Sequence, residues 1–544
     1  MDTHMPELER PTVDYIQRME RRLTEMWQQT HEDWKVVDSF YHQDNEIWPE
    51  QFRKSRPTSH TPRATDVIDH AADTQLAYEP IPHRDPVGRG KGNKEAADRL
   101  EPALKAVMDD AAMREPALTF KQTGRHLLHY GYCVLNAPVL VLTDRPMKPK
   151  REEGETGGDY ESREAVYENE RTGWNPVRLR APHPARVLLP ISDKQPAYAI
   201  VHKRFYPEEL QALSIVKVKT RKYAQVYEPT EAEMQGDELI KVTEYWNRLH
   251  HAVMRTDGDM LWVERNTWGY VPFLQAFAGF GGEITDDEKQ DPRYLCKGLL
   301  TPILDSLKRE HQMVSAKHEV VISGAFPYLV IAPGADAGAI MAKLQAGQPL
   351  DETELKQLGW FARPELPAQI FKAADDVERE IREGTYSLQL GGYRQEGVSA
   401  VGTTAILSTA ANRKFAAPSK QLNHLASLVA SNILRLVDNV KELDGAITVG
   451  GHTLSKQDIA HNYNARVMFE LVDPVLQLQI QQQSLAEVAA GMRSMDTHWA
   501  VTRLEDASGE RKRLIEDKAW QHPAVVEVMV NAFLEGKGLL SMAE

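Results

Sequence analysis

Residues 300–321 read Leu-Thr-Pro-Ile-Leu-Asp-Ser-Leu-Lys-Arg-Glu-His-Gln-Met-Val-Ser-Ala-Lys-His-Glu-Val-Val. Leu300, Leu304, Leu307, His311, Val314, His318 and Val321 step alternately by four and three, which is a heptad seam on one helix. Thr301 followed by Pro302 opens that helix, because a capping hydroxyl and a first-turn proline both suit a helix start. Two seam positions are histidines. Such a residue either sits partly exposed where helices splay, or titrates as a switch.

Toward the C-terminus, residues 324–371 are mixed, with a strand expected at Tyr328 to Ile331 and prolines and glycines cutting the rest short. Ala373 to Glu383 reads as a charged helix, and Gly391 to Gly397 as a loop whose glycines permit unusual backbone angles. Thr403 to Val440 is a second long helical pattern. Leu422, Leu425, Val429, Ile433, Leu436 and Val440 step by three or four along it. Pro418 lies within this pattern and predicts a kink or a break. Short strands at 446–454 and 466–472 precede helices at 475–492, 511–520 and 525–534.

Toward the N-terminus, Thr12 caps a helix to Tyr41 along which Ile16, Met19, Leu23, Met26, Trp27, Trp34, Val37 and Tyr41 recur mostly at spacings of three, four or seven. A polar connection follows, then a glycine-rich turn in which Asn93 caps a helix over 94–112. Leu118 to Tyr130 is a helix ended by Gly131, with a strand at 133–142 after it. His126 and His129 have metal-ligand spacing but no third ligand nearby, which favours packing. Pro146 to Gly173 has five bases, eight acids and almost no aliphatic residue, and reads as a solvated insertion. From Val177 to Phe280 the pattern is strands, including one at 216–227 that sets Lys217, Lys219 and Arg221 on one side. Thr256-Asp-Gly-Asp259 marks a hairpin turn. The acidic loop 281–292 lacks the glycine and terminal glutamate of a calcium hand.

The chain has 544 residues, 65 basic and 79 acidic, for a net charge of −14. That excludes a broad basic coat for nucleic acid, though not a conduit. Two cysteines, Cys133 and Cys296, cannot make a disulfide framework. Neither a secretory signal nor an apolar run long enough for a bilayer is present, so a soluble intracellular protein is expected. No nucleotide loop, zinc-protease pair or nucleophile elbow occurs, so neither catalytic nor metal residues are assigned, no cofactor is expected, and the chain is read as not an enzyme.

The order of segments carries more than any one of them. A helix runs into Tyr130-Gly-Tyr-Cys-Val134, and a strand-rich half ends in Val271-Pro-Phe-Leu-Gln-Ala-Phe277. The 299–321 helix follows, then a short insert, a charged helix and a glycine loop. Glu396-Gly-Val-Ser-Ala-Val-Gly-Thr-Thr-Ala405 leads into the proline-bearing helix, and Gly491-Met-Arg-Ser494 opens the tail. In that order, over roughly residues 15–534, the chain resembles a tailed-bacteriophage portal protein.

The resemblance implies an α+β subunit with long helices and a strand-rich wing, elongated, assembling into a ring. By order the parts are an arm and wing at 1–292, a first stem helix at 293–319 and a clip at 320–371. A second, short stem helix at 372–384 and a tunnel loop at 385–402 follow. The kinked helix and wing return span 403–473, and crown helices 474–544. The implied function is a homo-dodecamer at one capsid vertex, a channel for double-stranded DNA in packaging and ejection. Its partners would be the terminase motor, the major capsid protein and a head–tail adaptor, with no membrane. It would reside in the virion, after assembly in host cytoplasm. Tyr393, Arg394, Gln395 and Glu396 are the DNA-facing candidates. Leu304, Leu307, His311, Val314, His318, Leu422, Leu425, Val429 and Ile433 are the candidates for packing between subunits. Two other classes remain open: another virion assembly protein, such as an adaptor or scaffold, and a multidomain enzyme acting on nucleic acid.

Overall fold

The computed structural model describes residues 10–44, 49–51, 59–76, 79–84, 91–142, 145–152, 155–191, 195–220, 226–230, 239–282, 291–325, 328–361, 368–385, 413–443, 445–469 and 474–492, with positions 233, 495 and 498. The chain divides into two units, residues 1–470 and 471–544. In the second, the described part is essentially one helix, Pro474–Ala489.

The first unit mixes helix and antiparallel sheet. Helix α1 (Val13–Tyr41) starts where the Thr12 side chain accepts from the Tyr15 amide, and it buries Ile16, Leu23, Trp27, Trp34, Val37 and Phe40 along one face. Helix α2 (Arg63–Gln75) follows, then strand β1 (Pro80–His83). Helix α3 (Lys91–Met113) begins before Asn93, so that residue lies inside the helix and is not its cap. Helix α4 (Thr119–Tyr130) ends at Gly131, whose φ of 72° is the left-handed cap expected of glycine.

Strand β2 (Tyr132–Leu140) is the centre of a three-stranded sheet between β3 (Val177–Arg180) and β9 (Phe273–Phe277). Pro138 cannot donate to a ladder, and the β2–β3 register shifts between Asn136 and Val139, where a bulge absorbs it. A five-stranded meander holds β4 (Val187–Leu188), β5 (Tyr198–Phe205), β6 (Ile240–Asn247), β7 (His250–Arg255) and β8 (Met260–Arg265). The β7–β8 hairpin turns at residues 256–259, with Gly258 at φ 107°.

Two segments differ from expectation. Residues 157–172 form helix α5, capped by Thr156 accepting from the Asp159 amide, with Arg163 bonded to Glu152 and Glu155. None of its residues is buried, so the segment is solvated but ordered as a helix. Residues 207–220 form helix α6, not a strand: Pro207 and the acids Glu208 and Glu209 make a good first turn, which outweighs the β-branched Val216 and Val218. Lys217 is therefore not part of a basic strand row, and its ammonium donates to both Glu264 oxygens at 2.9 Å.

A short helix α7 (Pro292–Leu295) precedes α8 (Leu304–Ala325), itself led by a tight turn at Thr301–Ile303. Strands β10 (Tyr328–Ile331) and β11 (Leu358–Phe361) pair with each other around helices α9 (Ala337–Gln345) and α10 (Glu352–Lys356). Helix α11 spans Ala368–Thr385, longer than the 372–384 expected. Helix α12 spans Ala416–Asn439. Pro418 falls in its first turn, where the amide has no intrahelical partner, so it opens the described helix and does not kink it. Strands β12 (Ala446–Val449) and β13 (His452–Ser455) form a hairpin, helix α13 (Lys456–Ile459) follows, and β14 (Arg466–Phe469) pairs with β1.

The largest core lies between α3, α4, the three-stranded sheet and α12. Leu422 is 1% exposed, and Leu425, Val429 and Ile433 are 0% exposed, all against that core. This corrects their assignment between subunits: the stripe faces the chain's own sheet and offers nothing to a neighbour. Among the described residues, no helix is long and apolar enough to cross a membrane.

Candidate functional site

The feature that stands out from the body of the fold is the pair α8 and α11. Their contacts fix the direction. A Cβ on Gly384 would touch Ile303 Cγ2 at 2.4 Å, and Glu380 bonds Ser306 at 3.0 Å and Arg309 at 3.1 Å. Higher numbers on one helix meet lower numbers on the other, so the two helices form an antiparallel hairpin. Leu307, Val377 and Ile381 are buried between them, together with α2 and the end of α1.

The candidate seam residues separate along α8. Leu304 is half-buried, Leu307 and His311 are buried within the chain, Val314 is half-buried, and His318 and Val321 are exposed. The N-terminal half of the heptad is thus internal, which corrects the subunit-packing reading for Leu307 and His311. Of the seam residues, His318 and Val321 are open to another chain, and Leu304 and Val314 are partly so. The residues 59–63 cross this helix: Thr61 and Arg63 reach Glu310 at 3.1 and 3.5 Å, and Arg63 reaches Glu378 at 3.2 Å. This bridging was not visible in the sequence, since the partners stand about 250 and 315 positions apart.

Helix α11 carries three bases and five acids. Arg379 meets Asp376 at 2.8 Å, and Arg309 from α8 meets Glu380. The outward surface is mixed with an acidic excess, which does not hold phosphate tightly. At the base, Lys414 donates to the carbonyls of Gly384 (2.6 Å) and Thr385, and burial lowers its pKa. Lys414 thereby ties the turn before α12 to the C-terminal end of α11. Tyr393, Arg394, Gln395 and Glu396 lie outside the described residues.

The hairpin is tied to the body by a crossing of bare backbone. A Cβ on Gly298 would lie 2.0 Å from the His129 carbonyl oxygen, and one on Gly131 would lie 2.3 Å from the Lys297 carbonyl carbon. The Leu299 amide donates to the Leu128 carbonyl at 2.8 Å across the same crossing. Beside it lies a histidine cluster. His129 and the Tyr130 hydroxyl both donate to Asp38 Oδ1, at 2.9 and 2.8 Å, and His183 Nε2 meets the same hydroxyl at 2.8 Å. His126 pairs with Gln122 at 2.8 Å. The His126–His129 spacing thus serves packing, and the structure brings up Asp38 and His183, which sequence spacing did not. Among the described residues no group of side chains is arranged to hold a metal.

Burial pushes His126 down to about 3 and His31 down to about 4, and lowers His183 as well. Burial acts to raise Asp38, but hydrogen bonds from His129 and Tyr130 outweigh it and lower it. The unfolded chain therefore takes up protons first. The stability these histidines lend is intact above about pH 6.5 and drains away as pH falls toward their folded values. Asp38 adds a further loss only below the ordinary carboxylate range. We expect the melting temperature to fall steadily from pH 7 to 4, as His126, His31 and His183 take up protons in the unfolded chain before they do so in the folded one. Circular dichroism melts that stay level over that range would contradict this.

No protein-family model matches the chain. No curated protein matches it either. Among solved structures, it is similar to a chain in the neck of an empty GTA particle computed with C6 symmetry, at 12% identity and a TM-score of 0.37, covering 82% of this chain and 90% of that one. It is similar also to a chain in the neck of a native GTA particle computed with C12 symmetry, at 13% identity and a TM-score of 0.32, covering 81% and 89%. Likeness at this level does not establish a shared fold.

Proposed function

We propose that the chain is a portal-type connector subunit that assembles into a ring around a DNA channel. In this reading α8 and α11 are the stem, residues 328–361 the clip, and the strand-rich body with α12 the wing. Packaged double-stranded DNA passes through the ring, and the terminase motor, capsid shell and head–tail adaptor dock on it in turn. The role is mechanical, with no catalytic step. An acidic α11 facing the channel lets DNA slide where a basic wall would grip it.

The observation that carries the reading is the insert at the tip of the hairpin. Among its described side chains, Ile340 alone is buried, at 2%. Met341, Leu344 and Leu355 are 42%, 41% and 56% exposed. Its sheet is a ribbon of two short strands. A ribbon of two strands is marginal alone, and the exposed Met341, Leu344 and Leu355 leave apolar surface uncovered. Neighbours in a closed ring would cover both. The test is Met341→Asp combined with Leu344→Asp. The body's melting temperature is expected to stay within about 2 °C, since surface changes far from a core cost little, while native mass drops from a ring to a single chain. Rings that persist unchanged would overturn the reading of this face.

A further inference from the structure

Residues 59–62 lie as a strap along α8, held there among the described residues by hydrogen bonds and by the ring contact of His60 with His311. The Ser59 amide donates to Ser315 Oγ at 2.9 Å, and that hydroxyl returns a bond to the Ser59 carbonyl at 3.3 Å. Ser59 Oγ meets His318 Nδ1 at 2.5 Å, and Thr61 Oγ1 donates to Glu310 at 3.1 Å. Under the strap is His311, 0% exposed. Its ring stands 5.7 Å from Phe40 and 5.3 Å, edge-on, from His60 of the strap itself. Neither ring nitrogen of His311 meets a partner at full hydrogen-bond geometry, and the Thr61 backbone gives only a weak one.

We propose that the 59–62 strap is an acid-released latch on the hairpin helix, opened by protonation of His311 and His60. A proton on His311 puts a cation into a 0% exposed space against the Phe40 ring and a second imidazole. A proton on His60 adds repulsion at ring-contact distance. Lifting the strap hydrates both rings. The surrounding charges do not cancel this. Glu310 is engaged by Thr61 and Arg63, Glu378 on α11 is engaged by Arg63, and Asp44 beyond α1 acts on His60 alone. His318 is exposed and lies outside the enclosure, with its Nδ1 on Ser59 Oγ. Burial holds His311 at about 4 under the closed strap, below the 6.5 of a free imidazole that release and hydration would restore. Closure therefore weakens as pH falls through that interval. The device stands whether or not the chain forms a ring.

The test is hydrogen exchange on peptides covering 59–62, corrected for intrinsic rates, at pH 7.5 and pH 5. Opening of the strap is expected to rise about 30-fold from His311 alone, while the amides of α12 keep their protection. His311→Leu should abolish most of the rise, and His60→Gln should reduce it. If His311→Leu does not fold, His311→Gln gives the same readout with a neutral polar side chain. Equal strap opening at the two pH values in the wild type, or an undiminished rise in the His311 variants, would overturn the proposal.

Discussion

Leu425→Asp and Val429→Asp, made singly, are expected to leave no folded protein. Both side chains are 0% exposed on α12, in the core shared with α3, α4 and the three-stranded sheet. Neighbouring positions Leu422, Ala426, Ile433 and Leu434 are enclosed as well, so there is no route by which a carboxylate could turn to water. An unpaired buried charge costs several kcal/mol, and the lost apolar burial adds about 2–5 kcal/mol, as for a truncation to alanine. Together these approach the about 5–15 kcal/mol by which a domain is stable at all. Far-UV circular dichroism and the soluble fraction on expression give the check. Folded monomers that merely fail to assemble would contradict it, because that is what a stripe between subunits would produce.

Gly298→Ala should be strongly destabilising. The added carbon would sit 2.0 Å from the His129 carbonyl oxygen and 2.7 Å from its carbon, and both are backbone atoms with no rotamer to escape into. The two strands of chain cannot separate cheaply, because Leu299 is bonded to Leu128 and Gly131 packs on Lys297 from the other side. We expect a loss of about 4 kcal/mol or more, in the range kept for overpacked or broken junctions. Gly334→Ala is the control. Gly334 has φ of 95° and open space at the Cβ position, so it carries backbone strain alone, about 1–3 kcal/mol. Thermal melts of the two variants should differ clearly, with Gly298→Ala the lower. Gly298→Ala melting like the wild type would mean that the crossing is not as drawn.

What was legible in the sequence is local. Thr12 as a cap, Gly131 as a helix stop, the 256–259 turn and the 304–325 helix each rest on signals within a few residues. Helix α5 was half-read: its charge showed that it is solvated, while the Thr156-to-Asp159 cap that makes it helical was overlooked. Helix α6 was misread because Val216 and Val218 favour strands in isolation, and the lysine between them finds Glu264 only through tertiary packing. The apolar stripe of α12 is a different kind of failure. A stripe shows that a helix buries one face and not whose surface covers it, so an internal core and a contact between chains look alike. The histidines show the same limit. His129 meets Asp38 from 91 positions away, and His311 meets His60 from across the strap. No spacing rule spans such distances. Gly298 is one of 33 glycines and bears no local mark of the crossing that requires it.

Assembly into a ring can be read from native mass spectrometry of the full chain at micromolar concentration. We expect a dominant closed species near twelve times the 61.5 kDa chain mass. A monomer or dimer as the largest species at that concentration would contradict it.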